Sequence, residues 1–308
     1  MRQLVYNRAG YNVKASSPQE DDANFKGEID DALMLLDRVG RHSEEQGSSS
    51  HERKPLMGVN RRYRRPPVVE ALCEMHFRDS DCDDTLIGQF YERVKNEFPK
   101  KRPQEIQKAE FRFSSSGEMA AGVRRLPPRM QFVTSADDRM IQLGPELLVV
   151  NQLRPYASFE EWEKTLYAAL DTYRDLAHPK TIGRVCVRYI DRVIIPSPGV
   201  RMEEYFALYP QVPEAMGTSH GAFMLRVEFP ERRPGHRLLV TFGSALPERP
   251  DTMAFLLDYY DVCEPGCAAT RDAVQPIVRT AHENIIEAFE ASITDKLRLL
   301  FEPEERQT

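Results

Sequence analysis

Residues 184–195 read RVCVRYIDRVII, and this stretch alternates two sets of side chains at the period of an extended strand. Successive residues of a strand point to opposite sides of a sheet. One side therefore carries Val185, Val187, Tyr189 and Asp191, and the other carries Cys186, Arg188 and Ile190. The pattern predicts a strand with two usable faces.

The same alternation occurs in residues 66–77, PPVVEALCEMHF, where two prolines fix an extended start. Its two faces are Val69, Ala71, Cys73, Met75 and Phe77 on one side and Glu70, Glu74 and His76 on the other. The elements that we expect after it are a helix begun by Asp83 or Asp84, strands near residues 109–115, 129–135 and 139–153, and a helix over residues 159–177 capped by Ser158.

The order of elements then repeats from residue 184. The second set comprises that strand, a short helix near residues 202–208, strands near residues 223–230, 237–244 and 253–262, and a helix over residues 272–301. Two long helices that each close a run of antiparallel strands predict a duplicated unit of the α+β class. We expect two lobes, residues 61–180 and 181–308, whose long helices pack on one extended antiparallel sheet or on two abutting sheets. A curved sheet that grips one long helix is the alternative.

Residues 1–60 have the composition of a flexible arm, rich in Ser, Asn, Asp, Glu and Gly. One amphipathic helix is predicted within it, near residues 28–41. Its apolar stripe consists of Ile29, Leu33, Leu36 and Val39. A helix this short is marginal in water, so it either frays or docks on the body or on a protein partner.

The composition excludes several classes of protein. With 42 basic and 48 acidic residues, the chain has no overall positive field to attract nucleic acid. Five scattered cysteines favour neither a disulfide framework nor a zinc site. The chain shows no signal peptide and no run of about 18 apolar residues, so we expect a cytoplasmic protein that does not enter a membrane.

Four segments, taken together, resemble a known family. They are RRPPVVEALCEMHF at 64–77, RMIQLGPELLVVNQLRPYASFEEW at 139–162, GRVCVRYIDRVIIP at 183–196 and HENIIEAFEASITDKLRLLF at 282–301. In this order they are similar to a sporadically distributed prokaryotic family of unknown function, over residues 63–302. The resemblance implies no activity and no catalytic residues. The patchy distribution of the family suggests an accessory role in a mobile-element or defence cassette.

Two groups of polar residues on the predicted strands are candidates for a pocket. Alternation places Glu74 beside His76, a pairing that suits a general base or half a metal site, although a solvated polar face has the same pattern. Arg188 and Asp191 are charged residues on a strand otherwise fit for burial, and they fall on opposite faces. Each then needs its own partner, which indicates a structural ion pair or a ligand pocket, with Asn151 and Gln152 as polar neighbours.

Two further clusters favour ordinary structural roles. Glu283, Glu287 and Glu290 follow His282 along the last predicted helix and could bind a metal, but a solvent-facing acidic edge explains them as well. Cys263 and Cys267 flank a Pro-Gly turn, for which we expect a plain connection without metal.

Arginines form clusters around Tyr63 and in two later segments. The later clusters, candidates for phosphate binding, are Arg124, Arg125 and Arg129, and Arg232, Arg233 and Arg237. We expect both clusters to occupy corresponding loops of the two halves, and so to lie near each other.

The chain lacks the phosphate-loop, dinucleotide, nucleophile-elbow and zincin motifs. No catalytic residue, metal or cofactor is therefore predicted. The leading hypothesis is a non-enzymatic binding protein with a protein partner. The alternatives are a nucleic-acid or nucleotide binder that uses the arginines, and a small-molecule enzyme with a pocket over the central strand.

Overall fold

A computed structural model describes residues 61–83, 85–113, 119–217 and 221–304, and for residues 105–113 and 119–127 it describes the backbone alone. The predicted amphipathic stripe of Ile29, Leu33, Leu36 and Val39 lies outside these residues. The chain divides into two units, Met1–Arg53 with Ile106–Leu126, and Lys54–Glu105 with Pro127–Thr308. The second unit carries all the side chains discussed below.

The α+β class predicted from the sequence is confirmed. The strands are β1 (Val68–Arg78), β2 (Lys100–Phe113), β3 (Met119–Val133), β4 (Arg139–Gly144), β5 (Leu147–Leu153), β6 (Thr181–Ile195), β7 (Met224–Arg233), β8 (His236–Ala245), β9 (Met253–Cys263) and β10 (Cys267–Ala268). The helices are α1 (Leu86–Val94), α2 (Phe159–Ala177), α3 (Met202–Tyr205), α4 (Arg271–Ser292) and α5 (Asp295–Leu300), with a 3₁₀ turn at Glu214–Met216.

The strands form a single antiparallel sheet in the order β2-β3-β4-β5-β1-β6-β9-β8-β7. The short strand β10 pairs with the first residues of β6, next to the segment of β6 that pairs with β9. The two strands identified first from the sequence, β1 and β6, lie side by side in its middle. The last long strand before each long helix pairs with one of them, β5 with β1 and β9 with β6. The strands thus join in one sheet and not in two abutting ones.

One face of the sheet is covered by helices. Side chains of α2 and α4 share a continuous apolar core with alternate residues of the strands, which include Ala71, Cys73, Met75 and Phe77 of β1. Phe77 stacks on Tyr173 of α2, with ring centroids 4.2 Å apart. As predicted, the Ser158 hydroxyl caps α2 by accepting a hydrogen bond from the Glu161 amide.

The final helix predicted over residues 272–301 is wrong in one respect, because it is two helices. Ile293 adopts an extended backbone conformation after α4 ends, and Thr294 caps α5 by accepting from the Leu297 amide. The Thr294 amide donates to the Tyr205 carbonyl at 3.0 Å. The break therefore exchanges a helical hydrogen bond for one that holds α3 in place.

Candidate functional site

The sheet face opposite the helices, called the open face below, is polar at its centre. It comprises Glu70, Leu72, Glu74 and His76 of β1, Arg184, Cys186, Arg188 and Ile190 of β6, Asp258 and Tyr260 of β9, Gln142 of β4, and Val149 and Asn151 of β5. Six buried apolar residues on this face form two small clusters, Leu72 with Leu147 and Val149, and Cys186 with Leu239 and Val262. Neither cluster contains a helix residue. Charged groups therefore share this face with side chains that are almost wholly buried.

A buried chain of hydrogen bonds forms one flank of the open face. Gln142 donates to the Asn151 Oδ1 at 3.0 Å, and the Asn151 Nδ2 donates to Glu70 at 2.6 Å. All three residues are at most 5% exposed. Buried polar groups that are fully hydrogen-bonded make a face rigid, so this flank is a fixed support for the groups beside it.

Arg188 lies at the centre of the open face and has a partner that the sequence analysis did not identify. Its Nε and Nη2 donate to the two carboxylate oxygens of Asp258 at 2.8 and 3.2 Å. Its guanidinium also lies over the Tyr260 ring, 5.9 Å from the centroid. The expected structural ion pair is thus present for Arg188, with Asp258 of the neighbouring strand as the acid.

Glu74 and His76 lie side by side, as alternation predicts. The His76 Nε2 is 3.4 Å from a Glu74 carboxylate oxygen, and the two side chains are 30% and 20% exposed. The same Nε2 is 3.1 Å from the Arg184 Nη2. Arg184 was not singled out from the sequence, although its place four residues before Arg188 puts it on the same face.

The Glu74 carboxylate is electrostatically stabilised. Burial alone would raise its pKa, but the hydrogen bond to His76 and the positive charges of Arg129 and Arg188 hold the pKa below its usual value. The open face therefore presents an ionised acid among three arginines and an imidazole.

Asp191 does not belong to this group, since it faces the helices, as the strand alternation indicates. It is 3% exposed, and its Oδ1 has no hydrogen-bond partner. Burial and the nearby Asp258 charge raise the pKa of its carboxyl to about 8. Of the four residues proposed for one pocket, the structure brings together Glu74 and His76, places Arg188 on the same face, and separates Asp191 from all three.

A tyrosine and histidine network lies on the helix side near Asp191. The Tyr189 hydroxyl is 3.1 Å from the Tyr156 hydroxyl and 3.0 Å from the His282 Nδ1. The His282 ring stacks on Phe159, with centroids 3.9 Å apart. Burial lowers the pKa of His282 to about 4, which outweighs the opposing influence of nearby glutamates and keeps the imidazole neutral.

The acidic edge expected on the last long helix is only partly exposed. Glu290 is 6% exposed, accepts from the Tyr63 hydroxyl at 2.6 Å, and accepts from the Arg298 Nε at 2.8 Å. Glu287 pairs with Arg233 at 2.6 Å and with Arg232 at 3.6 Å. Glu290 therefore links α4 to Tyr63 and to α5, and Glu287 links α4 to β7. The prediction of a solvent-facing edge is wrong for Glu290.

The two later arginine clusters lie in strands and not in loops, which corrects the expectation from the sequence. Arg124, Arg125 and Arg129 belong to β3, Arg232 and Arg233 to β7, and Arg237 to β8. Six strands separate β3 from β7 in the sheet order. Arg232 and Arg233 pair with Glu287, and Arg237 pairs with Glu228 at 3.4 Å. The clusters therefore do not sit on adjacent strands, and these last three arginines already contact acids.

Cys263 ends β9 and Cys267 begins β10, so the Pro-Gly segment between them is a connection, as expected. Gly266 there has a φ of +54°, which favours glycine. Within the described part of the chain, no three His, Cys, Asp or Glu side chains converge as metal ligands. None of the helices in that part is long and apolar enough to span a bilayer.

The sequence matches no protein-family model and no curated protein.

Proposed function

We propose that this protein is a non-enzymatic binding protein, and that its open face around Arg184 receives an acidic group of a protein partner. The proposal rests on one observation, the incomplete hydrogen bonding of Arg184. Its Nε is buried without a partner, and its Nη2 faces the His76 Nε2.

The His76 Nε2 cannot serve both of its neighbours at once. To accept from Arg184 it needs a lone pair, whereas to donate to Glu74 it needs a proton. A ligand carboxylate would remove this conflict, because Arg184 could turn its guanidinium to the ligand while Nε2–H donates to Glu74. Arginine suits such a ligand, since its planar fork matches a carboxylate at two points.

Both His76 and Glu74 reach the protein surface. Their side chains are 30% and 20% exposed, so an acidic group carried on another protein can approach them. A net charge of -6 gives no general attraction for nucleic acid, so a single acidic group at a local positive site fits better than a polyanion.

The experiment is affinity purification of the tagged full-length chain from its native cells, with and without nuclease, followed by quantitative mass spectrometry. Arg184→Gln is the test variant. Arg174→Gln is the matched control, because Arg174 lies on α2 and pairs only with Asp171 among described residues.

We expect a stoichiometric protein that survives nuclease, is retained by Arg174→Gln, and is lost at least tenfold by Arg184→Gln. Co-purified RNA or DNA would favour the alternative of nucleic-acid binding, and a partner unaffected by Arg184→Gln would contradict the proposed surface. A small molecule that is retained by wild type and lost from Arg184→Gln would favour a pocket for chemistry.

A second contact is proposed for residues 1–58. The sequence spacing of Ile29, Leu33, Leu36 and Val39 predicts an apolar stripe that would suit a groove on the partner. Deletion of residues 1–58 should weaken capture of the partner. Unchanged capture would reject the arm as a contact while leaving the open face untouched.

We further infer that the body arose by duplication of one unit. The positions of β1 and β6 support this, since each is the first strand of its half and each pairs with the last meander strand of that half. Superposing the backbone of β1–α2 on that of β6–α4 tests the proposed duplication.

The resemblance to an uncharacterised prokaryotic family, the cytoplasmic location and the role in a mobile-element or defence cassette are proposals that neighbouring genes and cell fractionation would test.

A further inference from the structure

A chain of four polar side chains connects the end of β9 to α4, away from the open face. The His236 Nδ1 is 2.6 Å from an Asp261 oxygen, and the Asn284 Nδ2 donates to the other Asp261 oxygen at 2.6 Å. Cys263 lies directly across from His236 in the β8–β9 register, on the same side of the sheet. The order is therefore thiol, imidazole, carboxylate and amide.

Burial is graded along this chain. Asp261 and Asn284 are 0% exposed, His236 is 4% exposed and Cys263 is 8% exposed. Asp261 and Asn284 are thus shut off from solvent, and Cys263 is the most exposed of the four residues. Only a small reagent can reach it.

The imidazole is held in its charged form. Burial alone would lower the pKa of His236, but hydrogen bonds and charge from Asp261 and Cys263 raise it to about 9. Its Nδ1–H is directed to Asp261, so the Nε2–H is the donor that remains for a second acceptor. An imidazolium beside a thiol stabilises negative charge on sulfur, which is the nucleophilic form.

We propose that Cys263 is a reactive nucleophile that is oxidised by a small uncharged peroxide, with His236 as proton donor and Asp261 and Asn284 as positioning residues. The Cys263 sulfur attacks one peroxide oxygen and the O–O bond breaks. The leaving oxygen takes the His236 proton and departs as water when the reagent is hydrogen peroxide. Sulfur is oxidised from thiolate to sulfenic acid, and the peroxide is reduced.

Cys267 does not complete a disulfide in this arrangement. Cys263 pairs with Val185 and Cys267 pairs with Ile182, so the two cysteines are three residues apart along β6. That spacing is about 10 Å at the rise of a strand, beyond the roughly 7 Å that a disulfide spans between Cα atoms. The product is therefore the sulfenic acid itself.

The test exposes the full-length folded protein to hydrogen peroxide between pH 6 and 8 and traps sulfenic acid with dimedone. Mass spectrometry then measures labelling at each cysteine, using fragment ions on either side of Pro265 to separate Cys263 from Cys267. Cys267 is the internal control because it is more exposed, and burial raises its thiol pKa.

We expect Cys263 to be labelled at least tenfold faster than Cys267 throughout this pH range. In His236→Gln, checked for folding by circular dichroism, the Cys263 rate should fall to that of Cys267. The proposal is overturned if wild-type Cys263 is unlabelled or slower than Cys267, if a folded His236→Gln keeps the wild-type rate, or if a Cys263–Cys267 disulfide accumulates. The comparison of Cys263 with Cys267 in the wild-type protein tests the proposal even where His236→Gln does not fold.

Discussion

Arg188 donates two hydrogen bonds to the Asp258 carboxylate across the β6–β9 pair, with donor to acceptor distances of 2.8 and 3.2 Å. The carboxylate is 3% exposed and the guanidinium side chain 14% exposed. The two residues are 70 positions apart in the chain. This ion pair therefore joins β6 to β9 at the centre of the open face.

Removing one member of that pair should be costly. Asp258→Ala leaves a mostly buried guanidinium without its main acid, and we expect the free energy of unfolding to fall by about 3 to 5 kcal/mol. The control is Asp171→Ala, which breaks the solvent-exposed pair with Arg174 and should cost about 0 to 1 kcal/mol. Urea unfolding measures both, and equal losses would show that burial does not govern the Arg188 pair.

His282 should make the protein sensitive to mild acid. The pKa of His282 is about 4 in the folded chain and ordinarily 6.5. Between these pH values the imidazole is therefore protonated in the unfolded chain and neutral in the folded chain. Stability is therefore lost as the pH falls from about 6.5 to 4, by roughly 3 kcal/mol at most. Urea unfolding of wild type and His282→Gln across this range should show a shallower pH dependence for the variant. Parallel curves would mean that His282 titrates normally.

Asp191 should make the protein less stable as the pH rises. Its carboxyl keeps a proton up to about pH 8 when folded but has an ordinary pKa of 3.8, so stability is lost as the pH rises between these values. Asp191→Asn keeps the shape and removes the titration. We expect the variant to gain stability relative to wild type by a margin that grows from pH 5 to pH 8 in urea unfolding. A constant margin, or a loss at pH 8, would indicate that Asp191 is stabilised as a carboxylate.

Trp162 provides a simple check of the helix-side core. It is the one tryptophan of the chain, is 0% exposed, and its indole N–H donates to the Val150 carbonyl at 3.3 Å. Its fluorescence should be blue-shifted and resistant to iodide, with both properties lost on unfolding. Free quenching of the native protein would show that α2 does not cover β5.

Local pattern was enough to place several elements and their faces. The alternation of residues 184–195 put Arg188 and Asp191 on opposite sides, and the structure places them so. Ser158 marked the start of α2 because its hydroxyl accepts a hydrogen bond within three residues. Such features depend on neighbours in the chain, and sequence periodicity records them directly.

Partners distant in sequence could not be predicted in this way. Asp258 meets Arg188, and His236 meets Asp261, only because β9 lies between β6 and β8. Glu290 looked like part of an exposed helix edge, but Tyr63 and Arg298 cover it. The sheet order decides each of these contacts, and no local pattern contains it.

The sequence by itself determined the α+β class, the positions of β1 and β6 and the side of the strand on which Glu74, His76, Arg188 and Asp191 lie, because backbone geometry repeats every two residues in a strand. Only the tertiary structure decided which charges meet, which buried acid lacks a hydrogen-bond partner on one oxygen and which cysteine lies opposite a histidine. The physical reason is that strand register is set by packing of the whole sheet, and a shift of one residue would send every one of these side chains to the other face.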